Sequence, residues 1–216
     1  MKKTALIVAG GRGIRMNASV PKQFLLLKNI PILMHTLEKF SHLDKIFLVL
    51  PKSQIEYWNF ICNKYNFKTP HITVQGGETR FHSVKKGLEK IDDNVIVAIH
   101  DGVRPLVSTK LIDNLINNTK NGTGLVPVIG IKDSVRKIER GESVYIDRSC
   151  LYKVQTPQCF FSNDIKNAYN QEYSDKFTDD ASVFESDGGK IQTILGEEEN
   201  LKITTKQDLN IISSLF

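Results

Sequence analysis

The chain opens with Leu6-Ile7-Val8-Ala9-Gly10-Gly11-Arg12-Gly13-Ile14-Arg15-Met16, followed by Pro21-Lys22-Gln23. The apolar residues predict a short strand, and the glycines predict a tight turn whose backbone N–H groups can converge on one anion. The cationic side chains beside the turn suit a polyphosphate better than a single carboxylate. We therefore predict a phosphate-binding loop; an ordinary strand-to-helix turn with solvated charges is the alternative.

Two better-known nucleotide-binding loops do not match this stretch. A P-loop requires G-x-x-x-x-G-K-[ST], and the sequence contains no such run. The dinucleotide-binding fingerprint requires a third glycine, but Met16 stands at that position. A nicotinamide-dependent oxidoreductase is therefore disfavoured.

Length and composition predict one α/β domain over residues 1–216. The formal net charge is +5, and the basic residues are scattered without the dense basic runs of nucleic-acid-binding proteins. A small anionic ligand explains this modest excess as well as nucleic acid does, so charge alone does not choose between them. The absence of a leader-like or membrane-length apolar segment predicts a cytoplasmic protein without membrane contact. Cys62, Cys150 and Cys159 show no C-x-x-C spacing, so we predict no disulfide framework and no metal site built from protein ligands.

Apolar runs alternate with amphipathic stretches, which predicts a mostly parallel sheet covered by helices. The predicted strands are Thr4–Ala9, Lys45–Leu50, His71–Val74, Asn94–His100, Gly124–Val128, Lys190–Leu195 and a short Leu201–Ile203. The predicted helices begin near Pro31, Ser53, Arg80, Ser108, Asn163, Asp179 and Lys206. Pro31 suits a first helical position, and Ser53 and Ser108 are candidate N-caps.

A segment at about 132–158 departs from this alternation. Two alternating stretches, 133–138 and 143–148, flank the charged turn Glu139-Arg140-Gly141-Glu142 and predict a projecting β-hairpin arm. An isolated hairpin is marginal in water, so a second copy of the chain is its simplest partner. Packing of the arm on its own domain is the alternative.

Two further loops follow predicted strands, where ligands of open α/β sheets bind. The first is Gly76-Gly77-Glu78-Thr79-Arg80-Phe81-His82-Ser83-Val84, in which paired glycines permit close backbone approach and Ser83 offers a hydroxyl. The second is His100-Asp101-Gly102-Val103-Arg104-Pro105. Its carboxylate requires a cation or a polar ligand, because burial of an unpaired charge is costly. Two readings of Arg104 follow: it lies near an anionic ligand, or it only pairs with Asp101.

Three weaker signals lie closer to the carboxyl terminus. Gln155-Thr156-Pro157-Gln158 reads as a turn, and Thr178-Asp179-Asp180-Ala181 reads as a helix cap. Lys202 is a single lysine in an otherwise apolar stretch.

Taken in order, these motifs resemble the 2-C-methyl-D-erythritol 4-phosphate cytidylyltransferase (IspD) family of the non-mevalonate isoprenoid pathway. The resemblance spans essentially the whole chain and includes Asp147-Arg148 and Lys202-Ile203-Thr204. It implies a Rossmann-like nucleotidyltransferase α/β sandwich that dimerises through the β-arm. It also implies transfer of a cytidylyl group from CTP to a sugar-alcohol phosphate, with Mg²⁺ bound mainly through the CTP phosphates.

The resemblance also implies a role for each matching residue. Those implied to stabilise the transition state or to position the acceptor are Arg15, Lys22, Arg148 and Lys202. Those implied to contact the nucleotide are Ala9, Gly10, Gly11, Arg12, Gly13, Gly77, Ser83, Asp101 and Gly102. Those implied to hold the acceptor are Arg104, Ser134 and Thr156, and in the family the arm acts on the neighbouring subunit's site.

The chain departs from the common family pattern at Ala9-Gly10, Gly102, Val103 and Ser134. The alternatives are a ribitol-phosphate or other polyol-phosphate cytidylyltransferase, and a catalytically silent nucleotide sensor. A phosphate monoester is largely dianionic at neutral pH, so the reaction needs no general base. The sequence offers no Ser–His–Asp or Cys–His arrangement for one.

Overall fold

The computed structural model describes residues 1–10 and 20–215 and shows a mixed α/β architecture around an eight-stranded sheet. The strands are β1 (Lys3–Val8), β2 (Leu26–Leu27), β3 (Ile30–Pro31), β4 (Lys45–Leu50), β5 (Ile72–Gln75), β6 (Ile96–Asp101), β7 (Thr123–Gly130), β8 (Arg136–Glu139), β9 (Glu142–Tyr145), β10 (Tyr152–Val154), β11 (Gln158–Phe161) and β12 (Lys190–Leu195). The helices are α1 (Ile32–Lys39), α2 (Lys52–Lys64), α3 (Arg80–Leu88), α4 (Thr109–Asn118), α5 (Ser162–Ala168), α6 (Asp180–Ser186) and α7 (Lys206–Leu215).

The sheet is mostly parallel, as the sequence predicts. Strands β6, β1, β4 and β5 run side by side in parallel, and β12 pairs in parallel with β7. Strand β11 joins these two groups, because it pairs antiparallel with both β6 and β7. Strand β10 also pairs antiparallel with β7.

Helices cover both faces of the parallel strands, which explains why those strands are apolar throughout rather than alternating. Along β1, Ile7 joins a core cluster with Leu48 and Trp58, whereas its neighbour Leu6 joins another with Val49. Successive strand residues point to opposite faces, so each central strand contributes to two layers of core.

The helix starts agree with the predictions to within one residue, but the capping groups differ. Ser108 is the N-cap of α4, and its side chain accepts a hydrogen bond from Leu111 N. The prediction for Ser53 is wrong, because Pro51 precedes α2 and offers no side-chain oxygen. Pro31 likewise lies one position before α1 rather than in its first turn.

The predicted strand at Leu201–Ile203 is wrong. Ile203 is fully buried against Val103 and Ile212, and its N–H donates to Val103 O, but the segment forms no strand. Conversely, β11 falls partly in a stretch that reads as a turn. The sequence signal misleads because Gln158, the first residue of β11, is polar and yet fully buried.

The predicted β-hairpin is present. Strands β8 and β9 pair antiparallel, and the turn residues Arg140 and Gly141 both have positive φ, as a two-residue hairpin turn requires. Every residue of the two strands is exposed, including Ile138 and Tyr145.

No helix in the described ranges, 1–10 and 20–215, is long and apolar enough to cross a membrane.

The packing around β7 gives a first testable prediction. A Cβ on Gly124 would lie 2.3 Å from Phe160 Cε1 and 2.7 Å from Ile191 Cδ1, whereas one on Gly130, at the exposed end of the same strand, would meet nothing within 4 Å. We expect Gly124→Ala to lower the free energy of unfolding by about 1–3 kcal/mol, the usual cost of overpacking. Gly130→Ala is the matched control and is expected to stay within about 0.5 kcal/mol of the parent in urea titrations. Equal stabilities would contradict this account of the packing.

Candidate active site

Two adjoining cavities open beside the carboxyl ends of β1 and β6. The first has a volume of about 260 Å³, and the residues that line it include Gly10, Lys22, Gly77, Ser83, Arg80, Asp101 and Lys202. Ligands of open α/β sheets bind at this edge because the loops that follow the strands gather there.

The second cavity has a volume of about 240 Å³, and its lining includes Arg104, Gln155, Thr156 and Thr178. Arg80, Asp101 and Lys202 line both cavities, and we call these three residues the shared wall. Two adjoining cavities that share charged lining residues suit two anionic ligands that must react with each other.

Asp101 is the centre of the shared wall. Its Oδ2 lies 2.9 Å from Lys202 Nζ and 3.4 Å from Arg104 Nε, and its Oδ1 lies 3.6 Å from Arg80 Nε. Burial alone would raise the pKa of this carboxyl, but the charges of Arg80, Lys202 and Arg104 hold the pKa well below its usual range. Asp101 is therefore ionised throughout the physiological range.

The prediction that Arg104 could pair with Asp101 is confirmed. Arg104 is 9% exposed, and its Nη1 also donates to Asn200 O at 2.7 Å. Burial lowers the pKa of Arg104, while the Asp101 charge opposes that shift. Arg104 thus ties the end of β6 to the segment that carries Lys202.

A chain of hydrogen bonds between uncharged groups fixes Thr156, which lines the second cavity. Asp101 N donates to Thr156 Oγ1 at 3.1 Å, and Thr156 Oγ1 lies 3.0 Å from His100 Nδ1. His100 Nε2 lies 3.1 Å from Arg104 O, which can only accept, so Nε2 carries the proton and Thr156 donates to Nδ1. Burial lowers the pKa of His100 to about 4, which keeps this ring neutral.

Arg80 is held by a second carboxylate that the sequence reading treats as a helix cap. Its Nη1 and Nη2 donate to Asp180 Oδ1 and Oδ2 at 2.8 and 2.6 Å, and Tyr169 Oη donates to the same Oδ1 at 2.6 Å. Burial would lower the pKa of Arg80, but the Asp180 and Asp101 carboxylates raise it well above its usual value. Burial also raises the pKa of Tyr169, so that its hydroxyl stays protonated and donates.

The glycine loop before α3 lies against the first cavity. Gly77 N donates to Ser83 Oγ at 3.1 Å, and Thr79 caps the helix by accepting from His82 N. A Cβ on Gly77 would lie 2.4 Å from His82 Cβ, so a side chain cannot be added there without moving the helix start. The loop therefore brings bare backbone to the cavity, as the paired glycines predict.

Lys22 lies in a short 3₁₀ helix, Lys22–Phe24, and lines the first cavity. Its Nζ donates to Ile203 O at 3.1 Å, next to Lys202. The neighbouring Gln23 is buried and donates from Nε2 to Ala9 O at 2.8 Å, which ties this helix to the end of β1.

The structure brings most of the sequence-predicted residues together. The predicted residues that line the cavities are Gly10, Lys22, Gly77, Ser83, Asp101, Arg104, Thr156 and Lys202. Ala9 and Gly102 pack on each other just behind them, since a Cβ on Gly102 would lie 2.9 Å from that of Ala9. Gly11, Arg12, Gly13 and Arg15 lie outside the described residues.

Besides Ala9 and Gly102, two predicted residues do not line these cavities in their own chain. Ser134 and Arg148 are exposed and flank the hairpin, and Arg148 Nη1 donates to Lys132 O. Conversely, the sequence analysis quotes Arg80 in a motif but assigns it no role. Its spacing from Asp180, a hundred residues along the chain, gives no signal that the two side chains pair.

Within the described residues, no group of three or more His, Cys, Asp and Glu side chains could hold a metal ion. Both carboxylate oxygens of Asp101, which lines both cavities, are paired with cationic side chains of the protein.

Comparison with known proteins agrees with this geometry. The model of the family 2-C-methyl-D-erythritol 4-phosphate cytidylyltransferase (IspD) matches residues 4–215. Proteins of that name from Azobacteroides pseudotrichonymphae and Porphyromonas gingivalis are 51% and 46% identical; each alignment covers 100% of this chain, and 99% and 98% of theirs. The crystal structure of the Francisella tularensis protein of that name superposes with a TM-score of 0.82 at 30% identity, covering 100% of both chains. The chain therefore belongs to the 2-C-methyl-D-erythritol 4-phosphate cytidylyltransferase family.

Proposed function

We propose that this protein transfers the cytidylyl group of CTP to 2-C-methyl-D-erythritol 4-phosphate, forming 4-diphosphocytidyl-2-C-methyl-D-erythritol and pyrophosphate. The observation that best supports the proposal is that two adjoining cavities share three charged lining residues, in a chain of this family. A ribitol-phosphate acceptor is not favoured, because the similar curated proteins carry the methylerythritol phosphate name. The cytoplasmic location stays a prediction.

The first cavity is the proposed CTP site. Gly10 and Gly77 offer backbone, Ser83 offers a hydroxyl, and Lys22 offers an ammonium group. Ala9 and Gly102 would complete the close backbone approach behind the nucleotide. The same proposal extends to Gly11, Arg12, Gly13 and Arg15, which lie outside the described residues and for which it rests on the family resemblance alone.

The second cavity is the proposed acceptor site. Lys202 is the most exposed of its cations, since its side chain is 41% exposed and its contact with Asp101 is a single ion pair. Arg104 and Thr156 are held by buried hydrogen bonds and would form the rigid part of the site. The acceptor phosphate would therefore displace Lys202 from Asp101 more readily than Arg104.

In the proposed reaction, a phosphate oxygen of the acceptor attacks the α-phosphorus of CTP in line, and pyrophosphate leaves. The bond from the α-phosphorus to the bridging oxygen breaks as the new P–O bond forms. The nucleophile is already dianionic, so the site must bring two anions together and stabilise the five-coordinate phosphorus. Lys22, which lines the first cavity, and Lys202, which belongs to the shared wall, supply positive charge for that purpose.

Mg²⁺ enters this scheme as part of the substrate MgCTP. Every carboxylate oxygen of Asp101 faces a cation of the protein, so the site fits a metal carried by phosphate oxygens rather than a resident metal. The ion would neutralise charge on the triphosphate while it is bound.

We also propose a homodimer in which the arm, Arg136–Tyr145 and its flanks, packs on a second chain. Three large side chains of the hairpin are conspicuously exposed, with relative accessibilities of 67% for Ile138, 46% for Val144 and 72% for Tyr145. A contact between two copies would cover them and would bring Ser134 and Arg148 to the partner's acceptor cavity. This arrangement explains why neither residue lines a cavity of its own chain.

Pyrophosphate release tests the proposed activity directly. With CTP and Mg²⁺ present, we expect rapid release with methylerythritol phosphate and at least about a tenfold lower kcat/KM with ribitol 5-phosphate, a difference of about 1.4 kcal/mol in transition-state binding. Faster release with ribitol phosphate would favour the alternative acceptor, and CTP binding without release would favour a nucleotide sensor.

Lys22→Ala tests the proposed stabilisation of the transition state. Loss of one preorganised donor is expected to lower kcat by about a hundredfold or more. The control is Lys68→Ala, which removes an exposed lysine that lines neither cavity. Both variants should melt close to the parent temperature, and unchanged kcat for Lys22→Ala would contradict the role.

Mixed dimers test whether Arg148 acts across the proposed interface. Arg148→Ala and Lys202→Ala should each be nearly inactive alone. If each site combines Lys202 of one chain with Arg148 of the other, random mixing restores one intact site in each mixed dimer, or about a quarter of wild-type turnover. Co-refolding or co-expression of the two variants supplies the mixed dimers. Arg148 acting within its own chain would give no restoration.

A further inference from the structure

A buried hydrogen-bond network fixes Arg80, one of the three residues of the shared wall. Asp180 is fully buried as the first residue of α6, and Tyr169, which follows α5, is 1% exposed. Neither residue lines either cavity of the site, yet both are polar: Asp180 accepts hydrogen bonds from Arg80, and Tyr169 donates to Asp180.

Burial of the Asp180 carboxylate is costly unless the charge is well paired. Both of its oxygens accept from Arg80 in a two-point ion pair, which fixes the plane of the guanidinium as well as its position. The backbone beneath it is also fixed, because Asp179 and Ser182 form a capping box at the start of α6. Tyr169 itself stacks on Phe81, with ring centroids 4.7 Å apart.

Asp180 engages one N–H of each terminal nitrogen of Arg80. The Nε of Arg80 and the charge of the guanidinium lie beside Asp101 Oδ1. The other oxygen of Asp101 is left to Lys202 and Arg104. If Arg80 were displaced, Asp101 would turn both oxygens toward those two cations and hold Lys202 more tightly.

We propose that Asp180 and Tyr169 are positioning residues that act through Arg80: by fixing one side of Asp101, they leave Lys202 available to the acceptor phosphate. This inference rests on the proposed function and deepens it. It predicts a much larger defect in the use of the acceptor than in the binding of CTP, although Arg80 also lines the first cavity.

Asp180→Asn, which keeps the size of the side chain, tests this selectivity. We expect kcat/KM for methylerythritol phosphate to fall on the order of a hundredfold, as when reacting groups are misplaced by a remote change. We expect the dissociation constant of CTP, measured by calorimetry, to change less than about threefold, which is below 1 kcal/mol. A parallel loss of CTP affinity would contradict the proposal, because a general structural defect would weaken both ligands.

Chemical rescue gives a sharper readout. Arg80→Ala should show the same acceptor defect, and millimolar guanidinium ion should restore activity by about tenfold by occupying the vacated position between the two carboxylates. The double variant Arg80→Ala/Asp180→Asn lacks half of that position and should not respond. Absence of rescue in Arg80→Ala, or equal rescue in both variants, would overturn the proposal.

A milder pair of variants covers the case in which Asp180→Asn or Arg80→Ala does not fold. Tyr169→Phe removes only the hydroxyl that donates to Asp180, and we expect about a tenfold lower kcat/KM for the acceptor, in the range of a lost hydrogen bond to a charged group. Tyr173→Phe is the matched control, since its hydroxyl donates to Asp175 at the surface and the ring packs on the same Phe81. Equal activities of the two variants would contradict the proposal. Wild-type turnover in the same assay tests the proposed function separately, because its absence would contradict that function rather than the role of Tyr169.

Discussion

The site is organised by the burial of one carboxylate, that of Asp101, at the end of the central strand β6. An ionised group in that position is stable only because Arg80, Arg104 and Lys202 surround it. Each of these cations comes from a different part of the chain, so the pairing also draws the start of α3, the end of β6 and the segment before α7 together. The requirement to neutralise Asp101 thus builds the partition between the two cavities.

The same requirement explains why Arg80, Arg104 and Lys202 differ in their contacts. Among residues 1–10 and 20–215, Arg80 and Arg104 each make several contacts, whereas the side chain of Lys202 makes one ion pair and is partly exposed. Planar guanidinium groups suit fixed, two-point pairing, and an ammonium group on a flexible stem suits exchange between partners. Arg80 and Arg104 therefore hold Asp101 in place, and Lys202 is the cation available to the ligand.

The sequence predicts the sheet and the helix starts, because both depend on local patterns. Apolar runs mark the parallel strands, and glycines mark the loops that approach a ligand. The predicted residues that line the cavities follow from the family resemblance. The larger errors concern residues whose environment is set by distant partners. Gln158 is polar but buried, since Asp179 and Ala181 satisfy its amide across the fold, and a strand was therefore read as a turn. The partnership of Arg80 with Asp180 likewise has no local signature.

The common partition has a thermodynamic consequence for ligand design. Any anion that draws Lys202 away from Asp101 alters the field in both compartments, so occupancy of one must change affinity in the other by a reciprocal factor. A bisubstrate compound that joined a nucleotide to a polyol phosphate would break the Lys202–Asp101 ion pair only once. Its second group would also bind at the high effective concentration that the tether provides. Its affinity would then exceed what either half alone suggests.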